Sequence, residues 1–174
     1  MKLSRLRVPL GYAAFVLVVF LARPRMESLA AGMALALLGE GIRIWASGHI
    51  EKTERLATGG PYAYTRNPLY VGSALLALGV AVASASAFVM LAVAAYFAAL
   101  YPAVIREESA FLAGRFPDAY AAWARDVPAF VPRLRPAGPR ASTFDWGRVR
   151  TNREWRTAAA LPVVAAVLAA RVVW

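Results

Sequence analysis

Apolar runs alternate along this chain with short polar, mostly basic connections, a pattern that predicts helices crossing a membrane. Runs at Val8–Ala22, Ser28–Ser47, Leu69–Ala83, Ala87–Tyr101 and Thr157–Trp174 predict about five spans. The first is short against the roughly 17–25 residues a span needs. It reads as a retained span, because Arg23-Pro24-Arg25 follows it where a leader would show a small-residue cleavage site. Only Ser84-Ala85-Ser86 lies between the third and fourth runs, so these form an antiparallel hairpin. After Pro102 the pattern changes. Ile105–Arg115 and Asp118–Arg125 read as amphipathic helices, with Phe111, Leu112, Phe116, Tyr120 and Trp123 available for an apolar face. Proline- and arginine-rich sequence follows, and Pro102–Arg156 as a whole reads as a cytoplasmic segment. The expected fold is an all-α integral membrane protein, a single domain over 1–174.

Composition narrows the function. A hydrophobic content of 60% and a mean hydropathy of +0.50 exclude an ordinary soluble domain. The net charge of +10 would suggest nucleic acid in a soluble protein. Beside membrane spans it instead sets topology and meets anionic headgroups. No nucleic-acid-binding motif accompanies it. With the N-terminus inside, Lys2, Arg5, Arg7, Lys52, Arg55, Arg66 and the arginines from Arg106 to Arg156 all fall on the cytoplasmic side, leaving chiefly Arg23, Arg25 and Arg171 outside. The expected location is therefore a bacterial inner membrane. The chain has no cysteine and one histidine, so no metal site is expected. Composition leaves the oligomeric state open.

The stretch Gly59–Gly72, GGPYAYTRNPLYVG, concentrates the candidate chemistry. Asn67-Pro68 ends one segment and pre-sets the first turn of the next helix, where free N–H groups together with the Arg66 guanidinium suit a carboxylate or phosphate. An interfacial loop with Tyr62, Tyr64 and Tyr70 as an aromatic belt is the plainer alternative. Gly39-Glu40-Gly41 and Arg43 place charge inside the second span, costly unless it faces a pocket or pairs locally. Small glycines there would let a ligand approach the backbone. Glu107 and Glu108 lie just past a membrane end, where one carboxylate can face a ligand. They also suit an ordinary first helical turn. His49 is a candidate base, or simply an interfacial histidine.

Together these residues resemble the isoprenylcysteine carboxyl methyltransferase and phospholipid methyltransferase superfamily, small membrane enzymes that use S-adenosylmethionine. The carriers are Gly39-Glu40-Gly41 with Arg43, GPYAYTRNPLY at Gly60–Tyr70, Glu107-Glu108, and FPDAYAAW at Phe116–Trp123, so the resemblance runs from about Gly39 to Pro132. It implies a cofactor pocket on the cytoplasmic face, with Gly39, Gly41, Glu107 and Glu108 matching motifs associated with the cofactor and Arg66, Pro68 and Tyr70 matching a further family motif. With the chemistry of the neighbouring side chains, the expected cofactor-binding residues are Gly39, Glu40, Gly41, Tyr62, Tyr64, Pro68, Tyr70, Glu107 and Glu108, and those expected to serve the reacting groups are Arg66, Asn67 and His49. Asn67 stands where the carboxyl methyltransferase branch has histidine in an Arg-His-Pro-x-Tyr motif; Asn-Pro also occurs on the phospholipid branch.

The implied reaction is an in-line methyl transfer to a lipid-like or otherwise apolar acceptor that enters from the bilayer among membrane lipids, with positioning supplying most of the rate. A carboxylate acceptor needs no base. An ammonium acceptor must first lose a proton, for which His49 or a glutamate is the candidate. Two other classes stay open: an NADPH-dependent membrane reductase of sterol-reductase-like fold, and a non-catalytic membrane scaffold.

Overall fold

A computed structural model describes residues 18, 20–50, 55–137 and 142–173. The helices are α1 (Met26–Ser47), α2 (Pro68–Ser84), α3 (Ala87–Arg115), α4 (Pro117–Asp126), α5 (Trp146–Thr151) and α6 (Trp155–Val173), with a 3-10 turn at Gly60–Ala63. No strand occurs among the described residues. Among the described residues three helices, α1, α3 and α6, are long and apolar enough to cross a membrane, while α2 is a shorter apolar helix of 17 residues. Of the first expected span, only its last turn is described; there Val18 and Ala22 are buried. The rest of that span lies outside the described residues, as does Glu51–Glu54.

Small residues decide how α1 and α2 pack. Gly32 and Gly39 on α1 face Gly79 and Gly72 on α2, the seven-residue spacing bringing both pairs onto one face. A Cβ at Gly39 would stand 2.5 Å from the Leu76 amide nitrogen, and one at Gly32 would stand 2.3 Å from that of Ala83. Backbone therefore lies on backbone, the close approach that small residues allow between membrane helices. Gly39 is thus a packing residue. Gly41, two positions on, meets nothing within 4 Å.

The fourth expected span and the amphipathic helix after it are one helix. Hydrogen bonding carries α3 past Pro102, so that the whole helix runs for 29 residues, about 43 Å at 1.5 Å per residue. A proline inside a helix removes one bond and bends it, and a bundle tolerates this where neighbours support the chain. The final turns of α3, with Glu107 and Glu108, extend past the roughly 30 Å a hydrocarbon core occupies. Ala85, in the left-handed conformation, closes the tight connection back to α2.

Among the described residues the buried apolar side chains form two clusters. At one end Val18, Ala22, Ala81, Ala83, Val89 and Leu168 cluster. At the other, Ala46 packs with Tyr62, Tyr120, Trp123 and Val127. Ser47, Pro68 and Trp155 end or begin their helices on this second side. The candidate residues collect here.

Candidate functional site

The turn that carries Arg66 is held from outside the bundle by α4 and the segment after it. Tyr120 and Trp123, three residues apart on α4, both point inward and are buried. The Trp123 indole donates to the Tyr62 carbonyl at 3.0 Å, and Arg66 Nη1 donates to the Tyr120 hydroxyl at 2.7 Å. The guanidinium also lies 5.6 Å from the Tyr120 ring centroid. Beyond α4 the chain runs back along the turn. The Arg66 amide donates to the Pro128 carbonyl, the Thr65 hydroxyl to Phe130 and the Asn67 side chain to Ala129, while Arg133 and Ala137 amides donate to Tyr64 and Ala63. Asn67 is therefore occupied in bracing the loop. The FPDAYAAW pattern is the scaffold of this turn.

Behind that scaffold lies a cavity of about 400 Å³, lined among others by Arg43, Arg66, Asn67, Tyr101, Asn152 and Glu154. Its volume falls in the range of small-molecule sites. Of the sequence candidates, Tyr62, Arg66, Asn67, Pro68, Tyr70 and Glu108 line it. Glu108 accepts a 2.6 Å hydrogen bond from the Tyr70 hydroxyl. The Tyr62 phenol is pushed well above its ordinary value of 10.0, chiefly by burial and further by the Glu108 carboxylate.

The other candidates sit elsewhere. Tyr64 packs against Trp45. His49 is buried beneath Gly60, whose positive φ of 57° and lack of a Cβ leave room for the imidazole, and its Nδ1 donates to the Trp45 carbonyl at 2.8 Å. Glu107 is exposed on the projecting end of α3. Gly39 and Gly41 are outside the lining, as is Glu40. Glu40 is buried 3.7 Å from Arg43, and neither of its oxygens has a hydrogen-bond partner.

Glu154 and Asn152 were not among the residues singled out from the sequence. Glu154 Oε1 receives Arg43 Nε at 2.7 Å and Nη2 at 2.5 Å, and Arg43 also bonds the Ser73 and Thr157 hydroxyls. The Asn152 side chain donates to the Ser47 carbonyl at 2.9 Å and also reaches that of Ile50. The α5–α6 elbow thus closes one side of the cavity. Two buried atoms on residues of this lining, Arg66 Nε and Asn152 Oδ1, have no hydrogen-bond partner.

A second, apolar groove of about 560 Å³ runs between α2 and α3, lined by residues that include Ala74, Leu78, Phe97, Ala98 and Phe130. Tyr101 belongs to both spaces. Among the described residues no group of three or more His, Cys, Asp or Glu side chains comes together.

The sequence profile of a family described as phospholipid methyltransferase matches residues 6–119. Two curated relatives match over 105 residues, 59% of this chain and 47% of each relative. The cobalt-zinc-cadmium resistance protein CzcN of Cupriavidus metallidurans is 45% identical there. The nickel-cobalt-cadmium resistance protein NccN of Alcaligenes xylosoxydans xylosoxydans is 38% identical. The chain thus spans about half the length of these relatives. No solved structure matches.

Proposed function

Because the chain belongs to the phospholipid methyltransferase family, we propose that it transfers a methyl group from S-adenosylmethionine to a lipid-like or otherwise apolar acceptor carrying a carboxylate or amine. Bound in the polar cavity, that cofactor would supply an electrophilic methyl group. The residues present fit it: the lining carries both charge signs and includes an unpartnered guanidinium nitrogen beside aromatic rings. Arg66 would hold the carboxylate of the methionyl end, its planar fork suited to that shape. Tyr62 offers a ring for the adenine, and Glu108, steadied by Tyr70, an acceptor for ribose hydroxyls.

The observation that carries this reading is the position of Tyr101. It is the common wall of a polar cavity and an apolar groove, so a tail lying in the groove would present its head at the cavity. Positioning of that head against the methyl group is the main thing this site would contribute. Burial beneath Gly60 puts His49 behind the lining, so Glu108 is the better placed group to take a proton from an ammonium acceptor. The cavity would open to the cytoplasm, consistent with the basic residues gathered at that end.

The names of the two relatives attach them to resistance to divalent metals. A shared role here would act through methylation of a membrane component. The test is incubation of membranes containing the protein with methyl-labelled S-adenosylmethionine, followed by organic extraction. Label in the extract that disappears in Arg66→Ala supports the proposal. Absence of label, with NADPH oxidised instead, would favour the reductase class.

A further inference from the structure

Resting on the methyltransferase reading, we infer that Asn152, in the α5–α6 elbow, binds the α-ammonium group of the cofactor, so that the C-terminal elbow completes the site. Asn152 lies beyond residues 6–119, the stretch the family profile covers.

The two ends of the Asn152 amide face different surroundings. An asparagine side chain has one donor nitrogen and one acceptor oxygen that are often interchangeable in assignment. Here the surroundings fix them. One end of the amide faces the Ser47 and Ile50 carbonyls, at 2.9 and 3.4 Å, and carbonyls can only accept, so that end is Nδ2. The other end is then Oδ1, a pure acceptor, buried and without a partner on the protein. Burying an unmet acceptor is unfavourable unless something supplies a donor.

The same cavity holds the complementary group. Arg66 Nε is a buried donor without a partner. A cationic donor and a neutral acceptor left over in one cavity match a ligand end that carries an anion and an ammonium together, which is an α-amino acid. Glu154, two residues from Asn152 on the same lining, sets a carboxylate on that wall. Arg43 holds Glu154 in place and takes up much of its charge. The neutral Asn152 oxygen is thus a buried acceptor with capacity to spare.

The test is calorimetric titration of the full chain with S-adenosylhomocysteine and with its deaminated analogue, in which hydrogen replaces the α-amino group. Wild type, Asn152→Leu and Asn152→Asp are compared. Wild type should prefer S-adenosylhomocysteine by about tenfold, the scale of one charge-assisted hydrogen bond. Asn152→Leu should abolish that preference, and Asn152→Asp, which keeps an acceptor, should retain it. A preference that survives in Asn152→Leu overturns the assignment, as does equal weakening of both ligands, which marks the elbow as structural only. Should Asn152→Leu fail to fold, loss of the preference in a folded Asn152→Asp overturns it equally. If wild type binds neither compound, the methyltransferase reading fails and the assignment with it.

Discussion

Arg43 on α1 and Glu154 ahead of α6 are 111 residues apart in sequence and share one carboxylate oxygen at 2.5 and 2.7 Å. This pair ties α6 to α1 at the rim of the cavity. Neither group is far into solvent, with side-chain exposures of 18% and 7%. Removing one partner of such a buried pair costs several kcal/mol, since the other charge stays behind. Glu154→Leu should therefore lower stability by about 3 kcal/mol, the low end of the range because Glu40 remains 3.7 Å from the guanidinium. Thermal unfolding in detergent measures it; an unchanged midpoint would show the pair to be dispensable.

The glycines of α1 separate packing from ligand binding. Gly39→Leu should drive α1 off α2 and abolish a monodisperse, folded protein, because its side chain would meet the Leu76 and Gly72 backbone. Gly41→Ala meets open space and should be neutral or stabilise by up to about 1 kcal/mol through helix propensity. Size-exclusion profiles and unfolding midpoints of the two variants check the contrast.

The pattern of apolar runs was enough to place α1, α2, α3 and α6, because span length and hydropathy are properties of local sequence. It could not show that α3 runs through Pro102, since whether a proline kinks or ends a helix depends on the neighbours that support it. Tyr120 and Trp123 were legible as an apolar face and as part of a motif. Their bonds to Arg66 and Tyr62 needed the chain to fold back. Gly39-Glu40-Gly41 looked like a ligand contact because small residues serve backbone approach and ligand approach equally well; the approach that occurs at Gly39 is that of α2. Glu154 carried a faint signal as an acid just before an apolar helix in a basic stretch. Asn152 carried none, because its role comes from an elbow whose partners are about a hundred residues away.

The Tyr62 phenol gives a dependence on alkaline pH. Its native pKa lies above the ordinary 10.0, so the folded state holds a proton that the unfolded chain releases near pH 10. The stability tied to the neutral phenol is complete below that pH and falls as pH rises beyond it. Tyr62→Phe should flatten the loss above pH 10 relative to wild type, read from unfolding midpoints across pH 8–11.

The apolar groove predicts a split between two activities. Ala98 lines the groove and not the polar cavity, so Ala98→Trp would fill part of the space between α2 and α3. Methyl transfer to an apolar acceptor should fall at least tenfold while the affinity for S-adenosylhomocysteine stays within about twofold. A parallel loss of both would place the acceptor elsewhere.

Calorimetric titration of detergent-purified protein with S-adenosylhomocysteine, with Arg66→Ala and Glu108→Ala beside wild type, tests the cavity as a cofactor site most directly. Wild type should bind with micromolar affinity and Arg66→Ala at least tenfold more weakly, with a smaller loss for Glu108→Ala because Glu108 is exposed. A folded wild-type protein that does not bind, or binding that Arg66→Ala leaves unchanged, would contradict it.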